Sequence, residues 1–485
     1  MRRVAARAAA ATSVAAAAAL LAPAAAQAHA LVGRKDLPIP AWLFAWGASI
    51  VLIVSFFILS FAWHKVRFEE DDWHPVSEGL SRAIINPVTA WLAGALGVFL
   101  LGVSVWSGLY GVGTPDLNFS LTFLFVTAWI GFALVSVALG DVFRAFNPWR
   151  AIARAARAVL RLLTGQAPRA PLTYPERLGR WPAAAGVVIF VWIELISGAS
   201  GFQAVGVQPR TAAIAALLYT GYTLAAMALF GIEKWLDRGE AFSVYFGMFS
   251  RLSAVEVRGG RLGVRRFLSG TTSWAMVPGS LAIVLVTIGG TTFDGAQEGV
   301  LASPISSIGR RLIDWGFGGS LALRLDETFW LAVTFAFVAL IYWLGIRGMH
   351  LVKGSPPTRE LRRRFAHTMI PIGLAYVTAH YFSLFVFQEQ AQFTYLLSDP
   401  LGNGSNYFGT VTSSIDYSLL SPTVVWYVQV GALVVGHVTG LVLAHDRAIA
   451  TYGDSKTASL SQRWMLMVMV AFTCLGLFLL SQSNA

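Results

Sequence analysis

Hydrophobic residues in this chain gather into ten long runs separated by short polar or basic stretches. The runs cover residues 41–63, 87–110, 119–140, 181–198, 211–233, 272–292, 329–349, 366–388, 422–445 and 464–482. As α-helix, runs of this length reach across the ~30 Å hydrocarbon core of a bilayer. Lipid offers the backbone no hydrogen-bond partners, so a spanning segment of this kind must be helical. The pattern therefore predicts an all-α protein, a polytopic transmembrane helix bundle of about ten helices, forming one membrane domain over residues 29–485.

Residues 1–28 read as a cleaved secretory signal. Arg2, Arg3 and Arg7 form its basic start, an Ala-rich run its apolar centre, and Ala26-Gln27-Ala28 a small-residue cleavage site. An uncleaved anchor is the alternative. Cleavage after Ala28 exposes His29 as a new N-terminus, whose amine and ring suit Cu(II); cleavage at Ala28-His29-Ala30 removes it.

The connections carry structure of their own. Residues 150–163 (RAIARAARAVLRLL) place Arg on one face and apolar residues on the other, as in a helix lying on an anionic membrane surface. Residues 239–253 (GEAFSVYFGMFSRLS) read as interfacial or re-entrant, and Gly259-Gly260 as the turn of a small hairpin. A short amphipathic helix is expected in ISSIGRRLIDWG, and residues 399–421 form a polar, Gly-rich loop without cations.

Composition agrees with the membrane reading: 56% of the 485 residues are hydrophobic and only 13% charged, against about 25% charged in soluble domains. The formal charge of +11 could suggest nucleic-acid binding. The cations instead mark topology, with 27 of 36 Lys and Arg in alternate loops. By the positive-inside rule those loops are cytoplasmic, which puts the mature N-terminus and the C-terminus outside. The lipid bilayer is the first partner implied, and nucleic acid is not one. The single cysteine, Cys474, excludes an intrachain disulfide or thiolate cluster.

Polar residues inside the apolar runs are the candidate chemistry, because burying them in hydrocarbon is costly. Glu194, His380 and Gln429 sit on three different runs at similar expected depth, as the floor of an outward-opening pocket. Asp294, Gln388, Glu389 and Gln390 are expected at its mouth. Glu194, His380 and Asp294 are the catalytic candidates, and Gln429, Gln388 and Glu389 the binding candidates. His380, His437 and His29 are the metal candidates, for a divalent ion. His437 lies deeper, within a Gly436-xxx-Gly440 packing step. His445-Asp446-Arg447 reads as a solvated, salt-bridged helix end. No HExxH, GxSxG or Walker A motif occurs.

Several blocks resemble bacterial integral-membrane proteins of the fenitrothion hydrolase family. They are HALVGRKDLPIPAWLFAWGASIVLIVSF, DVFRAFNPWRAI, GEAFSVYFGMFSRLSAVEVRGG, TTFDG and the pair TAHYFSLFVFQEQ/GHVTGLVLAHDRA. The resemblance implies a bacterial plasma-membrane protein that hydrolyses organophosphorus triesters, a small-molecule substrate, and releases a nitrophenol. Glu194 or Asp294 would then act as base, with His380 polarising substrate or orienting water. Two other classes stay open on the residues themselves. One is a transporter for a small solute, proton or metal ion, and the other is a copper-handling membrane protein.

Overall fold

The computed structural model describes residues 41–69, 71–166, 168–200, 203–297 and 299–483. The expected signal and His29 lie outside the described residues. A helix stands at each of the ten apolar runs. In chain order, with three of the shorter helices between them, they are α1 (Ala41–Ala62), α2 (Pro87–Tyr110), α3 (Phe119–Leu139), α4 (Pro148–Thr164), α5 (Trp181–Leu195), α6 (Pro209–Phe230) and α7 (Ala241–Phe249). There follow α8 (Ser280–Gln297), α9 (Ala302–Asp314), α10 (Gly319–His350), α11 (Ile370–Phe393), α12 (Pro422–Tyr452) and α13 (Ser455–Ser483). Proline opens α2, α4, α6 and α12, where its missing N–H costs nothing. Glycines with positive φ close α4, α6 and α12.

Eight of the described helices are long and apolar enough to cross a membrane. The chain is a membrane protein. Helices α5 and α8 fall short for a physical reason. The first has only 15 residues, and the second half of α8 is polar (TTFDGAQ). These two helices carry Glu194 and Asp294. Helix α8 sits inside the protein, where packing and hydrogen bonds replace lipid contact, while α5 packs one face on it and leaves Trp181 and Ile189 exposed. In α8, 14 of 18 residues are buried, the pattern of a central helix surrounded on all sides. Its neighbours are α5, α10, α11 and α13.

The sixth helix is displaced from its expected run, beginning at Ser280 rather than near residue 272. Pro278 cannot donate a helical hydrogen bond, and Gly279 turns the chain at φ +83°. The turn is fastened to the start of α5: Arg180 N donates to Pro278 O (2.6 Å), and its guanidinium to Ala275 O (2.7 Å) and Ser280 Oγ (2.9 Å). Helix α10 likewise starts ten residues before its expected run, drawing Asp326 and Glu327 into the helix.

Helices α11 and α12 run antiparallel in close contact. A Cβ on Gly436 would lie 2.2 Å from Ala375 Cβ and 2.9 Å from Pro371 O, and one on Gly440 3.0 Å from Thr368 O. The Gly-xxx-Gly step is thus a packing seam. Gly436→Ala is expected to destabilise the protein by about 1–3 kcal/mol through overpacking. Gly431→Ala on the same helix, where a Cβ meets open space, should be neutral or slightly stabilising. Thermal unfolding of both variants in detergent checks this, and equal melting temperatures would refute the seam.

The 239–253 segment is neither a surface nor a lipid-facing element. Its helix α7 is driven into the bundle, with Val244, Tyr245, Phe246, Met248 and Phe249 all buried. Glu240 caps it, accepting from Phe242 N (3.0 Å) and Ser243 N (2.8 Å) and from Tyr219 OH (2.6 Å) and Asn147 Nδ2 (3.0 Å). The expected hairpin forms as β1 (Val255–Arg258) and β2 (Arg261–Val264), turning through Gly259 (φ +56°) and Gly260 (φ +79°). A two-residue strand at His74–Pro75 extends it along β2. Arg144, just before α4, and Arg150 on it both pair with Glu233 of the short helix Ile232–Arg238. Burial of Glu233 works upward on its carboxyl, but the two guanidiniums outweigh it and hold it below the usual range.

His445-Asp446-Arg447 is not a solvated helix end. Helix α12 continues to Tyr452, and His445 and Asp446 are fully buried. Asp446 accepts from Trp63 Nε1 (2.9 Å), Arg67 N (2.7 Å) and Phe68 N (3.1 Å). His445 bridges Gln462 (2.8 Å) and Trp63 O (3.3 Å), and Arg447 pairs with Glu69 (3.1 Å). The triplet fastens the segment after α1 to the bundle core.

Candidate functional site

Three helices that run in the same direction build the site. Helices α5 and α8 begin side by side, since a Cβ on Gly279 would meet Trp181 N at 2.5 Å. Further along, Gly290 faces Val191, with 3.3 Å from its ideal Cβ to the valine methyls. One turn on from that contact come Glu194 and Asp294. Helix α11 joins through Gly373, which faces Thr287 and Ile288. Two turns later it presents His380 and Tyr381 to Asp294.

Asp294 is the hub. Its Oδ2 accepts from Tyr381 OH (2.8 Å) and lies 2.9 Å from His380 Nε2, and its Oδ1 accepts from Gln297 Nε2 (3.3 Å). Asp294 is 6% exposed and the His380 side chain 14%. Accepting on both oxygens from an imidazole, a phenol and a carboxamide suits an ionised carboxylate. With Nε2–H directed at Asp294, His380 keeps Nδ1 as its second nitrogen. Gly295 leaves that edge uncrowded, its ideal Cβ standing 3.5 Å from Nδ1 and Cε1.

Glu194 lies within electrostatic reach of Asp294, Tyr245 and Tyr381. Its Oε2 and the Tyr245 hydroxyl are shielded from solvent and make no hydrogen bond. Tyr245 is held by face-to-face stacking on Trp129 (3.9 Å between ring centres). Trp129 belongs to the π-wound part of α3 (Thr122–Gly131), which packs against α11. Such windings recur where a helix serves a functional site.

The expected pocket floor is thus partly assembled and partly redrawn. Glu194 and His380 do converge. Asp294 is not at the mouth above them but level with them, because α8 starts eight residues later than its apolar run suggests. Gln429 is buried with Oε1 unpartnered, on the stretch of α12 that the Gly436 contact places beside residues near His380. Glu389 sits further along α11, its shielded carboxyl facing the Thr127 hydroxyl. Gln388 is half-buried, and Gln390 fastens the 399–421 loop through Asp416 (3.0 and 3.2 Å).

His437 does not join His380. Its Nδ1 donates to Leu433 O (2.7 Å), and its ring lies beside the stacked pair Tyr376 and Phe472. Among the described residues, no group of three or more His, Cys, Asp and Glu is placed to hold a metal ion. Tyr381, Tyr245 and Gln297 were not singled out by sequence reasoning. Tyr381 adjoins His380, which was a usable signal. Tyr245 lies in an apolar stretch that offers none.

Cavities of about 700 and 440 Å³ open at the opposite end of the bundle, around Trp63–Phe68 and around Asp71, Glu256 and Arg258. They are remote from the Asp294 cluster. Compared with protein-family models, with curated proteins and with solved structures, the chain matches none.

Proposed function

We propose that this protein is a proton-conducting membrane transporter whose protonatable centre is Asp294, His380 and Glu194, with Tyr381 and Tyr245 completing it. The observation that carries the reading is Asp294 itself. It is a buried carboxylate on the most enclosed helix of the bundle, engaged by an imidazole and a phenol beside a second carboxyl. Ionisable groups kept within membrane helices at such cost mark proton and ion pathways. Charge counting adds support. With two acids and one imidazole, the cluster is neutral with one carboxylate, one carboxylic acid and one imidazolium, or with both acids protonated and the ring neutral. Gain and loss of a proton therefore change its net charge by one unit inside a low-dielectric bundle, enough to favour one packing of three helices over another. The distribution of Lys and Arg supports a plasma-membrane orientation with both termini outside, so the cluster lies nearer the outer surface.

The test uses purified protein in liposomes loaded with a pH-sensitive dye, with a valinomycin–potassium potential driving protons inward. Wild type should acidify the lumen faster than protein-free liposomes. Glu194→Gln should cut the excess rate about tenfold or more. Wild-type rates equal to those of empty liposomes would overturn the reading.

The Asp294–His380 pair favours one second reading, hydrolysis of an organophosphorus triester, as the family resemblance implies. There Asp294 would orient the ring while Nδ1 takes a proton from water. The hydroxide adds to phosphorus, and the nitrophenolate leaves. That reaction would release nitrophenol in detergent, where no gradient exists.

A further inference from the structure

Helix α10 carries two adjacent acids, Asp326 and Glu327, that the apolar runs place outside the membrane helices. In the fold both are inside α10 and buried, at 0% and 6% exposure. Asp326 Oδ2 accepts from Gly309 N of α9 (2.7 Å), and its other oxygen faces the Trp330 indole N–H without closing a full hydrogen bond. Glu327 Oε2 is shielded from solvent and has no hydrogen-bond partner. Neither acid is neutralised by a cation: Arg310 turns back to Ser306, and neither carboxyl forms an ion pair among the described residues.

These acids stand one step outward from the Asp294 cluster. Gly289 of α8 packs on Phe335 of α10, with 2.6 Å from its ideal Cβ to the ring. The two helices run antiparallel, so eight residues further along α8, Gln297 comes level with Glu327. Gln297 already donates to Asp294 Oδ1 (3.3 Å), and its own Oε1 is a second shielded atom without a partner. Trp192 of α5 bonds Thr328 (2.8 Å), bringing the Glu194 helix to the same level. The unpartnered Oε1 of Gln297 thus lies between the outer acid pair, whose Glu327 Oε2 is also unpartnered, and the buried carboxylate.

We infer that Asp326 and Glu327 form the outer proton-entry station of the site, with Gln297 as the positioning residue between them and Asp294. This rests on the proton-conducting reading above. Glu327 in its acid form gives its proton to water hydrogen-bonded to Gln297 Oε1. That water passes a proton to Asp294, and the Glu327 carboxylate is reprotonated from outside through Asp326. The cargo of the station is the proton rather than a metal cation, so the flux is independent of sodium.

The same dye-loaded liposomes test it. Glu327→Gln is expected to slow proton entry about fivefold or more, while Glu327→Asp keeps at least half the wild-type rate. Gln297→Leu should slow it without altering the melting temperature. Wild-type flux in Glu327→Gln, alongside loss in Glu194→Gln, would overturn the entry station and leave the proton-conducting reading standing. Loss of both flux and thermal stability in Glu327→Gln and Glu327→Asp alike would assign the residue a structural role and overturn it too. Absence of flux in wild type would remove both proposals.

Discussion

Asp446→Ala is expected to lower the melting temperature of the protein on the order of 5 °C or more, the largest stability loss among single substitutions on α12. The carboxylate is 1% exposed and takes three donors, from Trp63 Nε1, Arg67 N and Phe68 N. Alanine leaves all three without their carboxylate acceptor; Phe68 is buried, while Trp63 and Arg67 border an open cavity from which water reaches them in part. Each orphaned donor costs about 1–3 kcal/mol. Breaking a buried charged network typically costs about 3–5 kcal/mol in all. Asp446→Asn keeps the shape and one acceptor, but its amide N–H₂ confronts a donor, so its loss should be intermediate. Val435→Ala, at a position 65% exposed, is the control and should leave the protein unchanged. Intrinsic tryptophan fluorescence during heating reads all three variants. If Asp446→Ala melts with wild type, the carboxylate does not hold the 63–69 segment.

The helices were legible because hydropathy over about 20 residues reports directly on what lipid demands of a backbone. Their ends were less so, for reasons visible at particular residues. The stretch from Thr272 to Val277 is apolar enough to join the sixth run, yet Pro278-Gly279 cuts the helix off from it. That shift of eight residues moves Asp294 from the mouth of the pocket to the level of His380. At the start of α10 the opposite happens. Asp326 and Glu327 end the apolar run, but Gly309 N and the indole of Trp330 receive one of them inside the protein. Hydropathy measures transfer to lipid, and these acids never face lipid. Helix α7 shows the same limit from the apolar side. Its nine residues are too few to span and apolar all round, which suits a membrane surface as well as a buried helix. Only packing against α3 and α5 decides between them. Glu194 and His380 were identifiable because each stands alone in an apolar run. Tyr245 was not, because a tyrosine among Phe and Met residues is ordinary core.

Asp294→Asn is expected to reduce potential-driven proton flux to the level of protein-free liposomes while leaving the fold intact. The substitution preserves volume and one acceptor oxygen. If that oxygen keeps the bonds to Tyr381 and His380, the new N–H₂ points at Gln297 Nε2, donor against donor. If the amide turns over, it meets the Tyr381 hydroxyl and His380 Nε2–H instead. Either way one buried interaction becomes repulsive, and the group can no longer take up a proton at neutral pH. Hydrogen bonds to a charged acceptor contribute about 1.5–3 kcal/mol each, so Tyr381→Phe, which deletes one and leaves those of His380 and Gln297, should slow flux about tenfold rather than abolish it. His380→Gln should resemble Asp294→Asn. The double variant Asp294→Asn/His380→Gln should be no worse than either alone, because the two groups act as one unit. Independent, multiplicative losses would show that His380 and Asp294 serve separate roles. Wild-type flux in Asp294→Asn would remove Asp294 from the proton path. If the variant instead lost nitrophenol release from an aryl phosphorothioate in detergent and kept its flux, the same dyad would have to be assigned to hydrolysis, with Asp294 orienting His380 for attack by water.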